Sequence, residues 1–388
     1  MEKASKVKDL VKFLASTHGD LSNITAPPFF LAPISVTEAG SCWAQRPSLF
    51  ASPTFEDDPA KRSLCVLKWI LAALKTQFYT GGDTESSIKK PLNAFLGEIF
   101  RGTWHDQHAT SNLVAEQVSH HPPVTAVYMW DDEHGIRGEG YTRVEMSYAG
   151  SVDIRQIGHA AVHIDRFNED YLVPIPNAKV KGFSSGKLYP ELYGTYHIIS
   201  SSGFISEIEF EGQGMFKGTK NHVHAVTYRR DDQKKQPIFT IDGQWTGEFT
   251  IRDAEGGIVE TYDTNDGKNA PAELDLPREE DQDPWETRRA WRDVFSAINE
   301  GNIGATIDSK SKLENAQREM RAKEKSNGQE WQPLFFSRSD GDHELFDRLG
   351  SATGWQLEKE KTLGVWKVDL EKLRNLKKPY RGELTPFG

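Results

Sequence analysis

From residue 124 to 264 the chain keeps one texture. Stretches reading "VTAVYMW", "FISEIEFEG", "AVTYRR" and "IFTIDGQWTGEFTI" alternate in polarity or are rich in β-branched and aromatic residues, as half-buried strands are. Turn-forming runs such as "DDEHG", "SSSG", "GTKN" and "AEGG" separate them at short intervals. No helix is needed between these strands, so they read as a long antiparallel meander. Closing such a meander into a barrel is the usual remedy for exposed edges, and a barrel of many strands encloses a cavity. The expected class is mainly β with α (α+β), built on a large antiparallel β-barrel.

Around this body the chain is helical or irregular. In "MEKASKVKDLVKFLASTHGD", Val7, Leu10, Val11 and Leu14 follow helical spacing, with lysines mostly off that stripe. The pattern admits two readings, a terminal helix packed on the core or a basic amphipathic helix on a membrane surface. In "ITAPPFFLAPISVTE", Pro27, Pro28 and Pro33 exclude a regular helix. This apolar segment must cover something or be covered. Residues 64–77 read as a buried helix. After an acidic linker, Asp283, Pro284 and Glu286 form a capping-box-like helix start. A very polar helix is expected over residues 305–325, and the aromatic-bearing tail from residue 330 should pack on the body.

The formal net charge of −10, from 47 Lys and Arg against 57 Asp and Glu, argues against general nucleic-acid binding. Two cysteines, Cys42 and Cys65, make no disulfide framework, which points to a reducing compartment. No secretory leader is legible. The longest apolar run, "CVLKWILAAL", is broken by Lys68 and is too short to span a bilayer. Any membrane contact is then peripheral.

The chemistry concentrates in "EQVSHHPP", residues 116–123. A proline disfavours the α region for the residue before it, so His121 is extended. Neighbours on a regular strand point to opposite faces, so both rings reach one ligand only from a loop or strand end. A zinc site would need further ligands at metal spacing, and neither HxxxH nor CxxC occurs. A nucleophile–base pair would need a supporting motif such as GxSxG, which is also missing. Phosphate binding needs only N–H donors, and an anion favours the protonated imidazole. Two other segments suit that reading. Lys310, Glu314 and Arg318 are spaced four apart, so they share a helix face. The pattern alone favours a solvated salt-bridge ladder; the sharper reading is two cations fixed by a glutamate and aimed at a phosphate. Lys89 and Lys90 precede "PLNAF" and matter only if a phosphate lies nearby.

"EQVSHHPPVTA" resembles the signature of the oxysterol-binding protein family of lipid-transfer proteins. The resemblance extends to "GDLSNITAPPFFLAPISVTE", similar to the family's lid region, to "KKPLNAFLGEIFRGTW" and to "KSKLENAQREMR". It implies an incomplete barrel around a hydrophobic tunnel, an N-terminal lid and a C-terminal helical part, in the short single-domain form typical of fungi. The expected partition is 1–35 amphipathic helix and lid, 36–115 helical and loop region, 116–270 barrel and 271–388 helical subdomain.

The resemblance also implies ligands. The tunnel holds sterol or phosphatidylinositol 4-phosphate, one at a time. The phosphoinositide head group would meet Lys90, Asn93, His120, His121, Lys310, Glu314 and Arg318. Sterol-lining positions match Trp43, Gln77 and Gln156. Phe78 stands where some relatives have tyrosine and Thr142 where they have asparagine, which puts the second ligand in question. Val7, Leu10, Val11 and Leu14 would serve the lid and the membrane. The expected protein is a cytoplasmic monomer that touches organelle membranes transiently. It has no catalytic residue, metal, cofactor or nucleic-acid partner. The rivals are a carrier of another lipid such as phosphatidylserine, a lipid sensor acting on a partner, and a lipid hydrolase.

Overall fold

The computed structural model describes residues 2–16, 20–22, 24, 26–79, 84–212, 218–341 and 343–388, with side chains from residue 9 onward. Its body is a 15-stranded sheet whose paired strands are all antiparallel among the described residues. One edge is Ile258–Asp263 and the other is the short strand Leu274–Asp275. The two edges are not paired with each other, so the barrel is incomplete.

The sheet begins upstream of the expected boundary at 116. Strand Ile99–His105 precedes it, Thr110–His120 straddles it, and both continue the same ladder. Alternation does not reveal Thr110–His120, because it is buried almost continuously along its length. Leu113 and Ala115 belong to the core inside the barrel, while Val114 and Val118 pack outward under the C-terminal part. A strand covered on both faces shows no polar–apolar alternation.

The helix read over residues 64–77 spans Pro59–Phe78. Its start is fixed by Asp58, whose side chain accepts from Ala60 N at 2.8 Å, with Pro59 at the first helical position. The helix shares the inner core with Trp104, Ile208, Ile241 and Ile251 of the sheet. The proline-rich segment forms a 3₁₀ turn, Pro28–Phe30, and a strand, Leu31–Ser35, that pairs in parallel with Lys90–Leu92.

The C-terminal part covers the outer face of the sheet through Trp285, Trp291, Leu313, Phe335, Phe336 and Trp366. Besides helices it contains an antiparallel strand pair, Phe336–Ser339 with Val365–Val368. The capping box at Asp283 exists: Asp283 N donates to Glu286 Oε1 at 3.1 Å, and Asp283 Oδ1 accepts from Trp285 N at 3.0 Å. The helix itself starts later, at Thr287, and is interrupted at Trp291, whose indole N–H donates to buried Glu98. The polar helix spans Ile303–Ser326, capped by Asn302.

Glu116, the first residue of the histidine signature, is a fastener. It is fully buried and accepts from Leu334 N at 2.7 Å and Phe335 N at 2.8 Å. Burial pushes its carboxyl up to about 7, against those two bonds and Arg381, which act to lower it. Glu116→Ala would leave two backbone donors unpaired, that of Phe335 buried and that of Leu334 part-buried, at roughly 1–3 kcal/mol each. The expected result is a fall in stability of about 2–5 kcal/mol, read from urea unfolding. A change within ~0.5 kcal/mol would show that the C-terminal part is held without it.

Candidate functional site: a lidded tunnel with a cationic cluster

The barrel encloses a cavity of about 320 Å³. Its wall is mostly apolar, with Ile70, Val127, Met129, Val144, Ile154, Val162 and Val180 among the lining residues. Trp43, Gln77, Phe78, Thr142 and Gln156 all line it. They differ in local attachment. The Phe78 ring meets Trp245 edge-on at 6.2 Å. Gln156 Nε2 donates to Pro176 O at 2.6 Å. Thr142 Oγ1 is buried with no hydrogen-bond partner, so a ligand hydroxyl in the tunnel would find a partner there.

The N-terminal helix, Glu2–Ser16, forms part of this wall. Leu10 and Leu14 are 3% and 9% exposed and line the cavity together with Phe13, so this face of the stripe meets the protein. Val11 is half-buried and does not line the cavity, and the side chain of Val7 lies outside the described residues. Leu21, Ile24, Ala26 and Phe30 extend the cover. Asp20 ties it down: Asp20 Oδ1 accepts from Met146 N and Ser22 N, each at 2.9 Å, and Leu21 N donates to Met146 O at 2.8 Å.

Beside the tunnel, three segments converge. Lys90 and Asn93 line the cavity and bond to each other. The parallel pairing of Lys90–Leu92 with Leu31–Ser35 sets that segment against the lid. His120 ends its strand next to Asn93, with Nδ1 3.2 Å from the Ala94 carbonyl oxygen. A register shift between Gln117 and Ser119 disrupts the ladder just before the pair. The two imidazoles then lie with centroids 4.5 Å apart, as the strand-end geometry requires.

The helix Ile303–Ser326 supplies the third segment. Lys310 is ion-paired with Glu314, and its side chain is only 7% exposed. Arg318 is 71% exposed, 4.0 Å from Glu314, and donates to Asn315 Oδ1 at 2.6 Å. The three residues do share a face, but only Lys310 is turned inward. Helical spacing cannot show how that face is divided between protein and solvent.

The electrostatics bind the segments together. Burial, and then the charge of Lys310, push Lys90 down to about 8. Burial and the neighbouring His121 hold His120 below its ordinary value, while the Ala94 carbonyl and Glu314 act in the opposite direction. A carbonyl only accepts, so its contact places a proton on Nδ1 of His120. In its neutral form the ring presents Nε2 as an acceptor, so donation to an anion requires the second proton that a bound anion would itself favour. Two lysines and two imidazoles at one point make a cluster that an anion relaxes. Among the described residues, no group of three or more His, Cys, Asp or Glu could hold a metal ion. None of their helices is long and apolar enough to cross a membrane.

Residues 9–296 match the oxysterol-binding protein family. The chain is 36% identical over 86% of its length to Protein kes1 of Schizosaccharomyces pombe, covering 86% of that protein. It is 49% identical over 96% of its length to a probable transporter, efuK, of Hormonema carpetanum, of which it spans 54%. The fold is similar to that of the Osh1 ORD domain in complex with cholesterol, with a TM-score of 0.70 at 20% identity, covering 94% of this chain and 86% of that one. It is also similar to the Osh3 ORD of Saccharomyces cerevisiae in complex with PI(4)P, with a TM-score of 0.67 at 20% identity, covering 86% and 87%. With the signature, the lidded tunnel and the incomplete barrel in place, the chain belongs to the oxysterol-binding protein family.

Proposed function

We propose that this protein carries sterol and phosphatidylinositol 4-phosphate, one at a time, and exchanges them between membranes without covalent chemistry. The observation that carries the reading is the junction of an apolar, lidded tunnel with the cluster of Lys90, Asn93, His120, His121, Lys310 and Glu314. The tunnel suits a lipid body and the cluster suits a phosphomonoester, which bears close to two negative charges near neutral pH. Each methylene exposed to water costs about 0.8 kcal/mol, so a closed apolar tunnel removes most of the penalty of carrying a lipid between bilayers. The complexes with cholesterol and PI(4)P in the similar Osh1 and Osh3 domains support both ligands. The setting is the cytoplasm, with the protein acting as a monomer that touches organelle membranes peripherally.

The test is reciprocal extraction. Protein is incubated with liposomes holding labelled sterol and labelled phosphatidylinositol 4-phosphate, then recovered and its lipid analysed. Each lipid should return chemically intact, and the phosphoinositide should displace sterol. A cleaved product would make the protein a hydrolase, and selective recovery of phosphatidylserine would make it a different carrier.

Two expectations concern the cations. Lys310→Glu puts a carboxylate inside the cluster and should abolish phosphoinositide binding. Arg318→Glu acts at an exposed site and should weaken it only a few-fold, more at low salt. Equal losses measured by liposome extraction would show that Arg318 folds inward on the ligand.

The second expectation concerns pH. A bound dianion favours the charged form of Lys90, which sits at about 8 without one. Binding at pH 8.5 should therefore take up protons, and affinity should fall as pH rises from 7 to 9. Titration calorimetry in buffers of different ionisation enthalpy reads the uptake directly. Stability carries the opposite sign: between about 8 and 10.5 the unfolded chain holds the extra proton, so the Lys90 contribution rises with pH.

A further inference from the structure

The barrel wall has a gap. Strand Val152–Ile164 pairs with Glu169–Val173 through residues 160–164, and with Ala178–Lys181 through residues 152–154. Residues 155–159 have no partner strand on that side. They face "PIPN", residues 174–177, where Pro174 and Pro176 lack the N–H a ladder needs. Side chains bridge the break instead. Gln156 N donates to Asn177 Oδ1 at 2.8 Å, and Gln156 Nε2 donates to Pro176 O. On its other side the strand stays paired with Ile136–Tyr148 throughout, and the approach is close there: a Cβ added to Gly158 would stand 2.0 Å from the Tyr141 carbonyl oxygen.

A second cavity, about 380 Å³, lies across this break, with Arg155, Asn177, His197 and Glu358 in its lining. Tyr141, Gln156, His159, Pro174 and Ile175 line both it and the tunnel. His159 is 2% exposed, and its Nδ1 has no hydrogen-bond partner. An unpartnered polar atom in the partition is what a passing water would use.

A blind apolar tunnel faces a filling problem. At ~30 Å³ per water, a tunnel of this size exchanges on the order of ten waters for one lipid, and the incoming lipid blocks its own way in. We propose that the gap at Gln156–Gly158 is a water port, through which solvent leaves the tunnel into the outer polar cavity as an apolar ligand enters. The port rests on the reading that the tunnel takes up a lipid.

The test fills the outer cavity and leaves the tunnel alone. Thr195 and Thr353 line only the outer cavity. Thr195→Trp, and separately Thr353→Trp, are loaded by stopped flow with two probes, dehydroergosterol from cyclodextrin and the uncharged dye N-phenyl-1-naphthylamine. For a folded variant, loading and release rates should both fall at least threefold, with the equilibrium constant unchanged. Wild-type rates in both folded variants overturn the port, as does lost affinity with an unchanged loading rate. If the dye loads and the sterol does not, the sterol reading fails, while the dye rates still decide the port.

Discussion

His120→Ala with His121→Ala should lower phosphatidylinositol 4-phosphate extraction from liposomes by roughly 100-fold or more, while sterol uptake should stay within a few-fold of wild type. The size follows from two hydrogen bonds to a dianion, each worth about 1.5–3 kcal/mol when a charged group takes part. The selectivity follows from position. The pair stands beside the tunnel, and neither ring is among the residues that line it. Stability should change little, because His121 is exposed at the strand end and His120 contributes a hydrogen bond to the Ala94 carbonyl and a ring contact with His121 itself. Undiminished phosphoinositide extraction by the double variant would refute the assignment of the head group to this cluster. A parallel loss of sterol uptake would mean the substitutions damage the tunnel itself.

The second large effect lies in the lid. Leu10→Asp with Leu14→Asp places two carboxylates in what is now apolar tunnel wall. Each lost leucine forfeits about 1.5–3 kcal/mol of burial, and neither aspartate finds a partner in an apolar wall. The helix should leave its seat while the barrel, which does not depend on it for pairing, stays folded. Dehydroergosterol release should accelerate by roughly 30-fold or more, since 2 kcal/mol is about that factor. Thermal unfolding should shift only slightly. Binding to highly curved liposomes should also weaken, because the same stripe becomes available to a bilayer once the lid swings out. Retention and liposome binding equal to wild type would make this segment an ordinary terminal helix.

Much of the molecule is legible from residue order, and what is not has a common cause. The meander from residue 124 onward shows because each strand has a face whose polarity differs from its neighbour's. Thr110–His120 does not show, because the tunnel side and the C-terminal side are both apolar. The two-proline break at Pro174 and Pro176 was open to inspection, yet its meaning depends on which strand lies opposite. The histidine pair stands out because proline restricts the backbone behind it. The different fates of Lys310, buried, and Arg318, exposed, depend on which part of the helix face meets the body, which a spacing of four cannot encode. Glu116 sits inside the signature but does not line the tunnel, and it fastens a segment more than two hundred residues downstream.

The lid has one further consequence. Its underside is tunnel wall, so whatever fills the tunnel also becomes the surface on which Leu10, Phe13 and Leu14 rest. A loaded protein would therefore have a closed state reinforced by its own freight, and an unloaded one a lid resting partly on solvent. On the proposed function, time spent docked on a bilayer would then depend on loading. An unfilled protein would linger with its latch loose, and a filled one would depart because the freight has shut the door. Occupancy would then set when the molecule lets go, while the lipid difference between the two membranes would set the direction of net transfer.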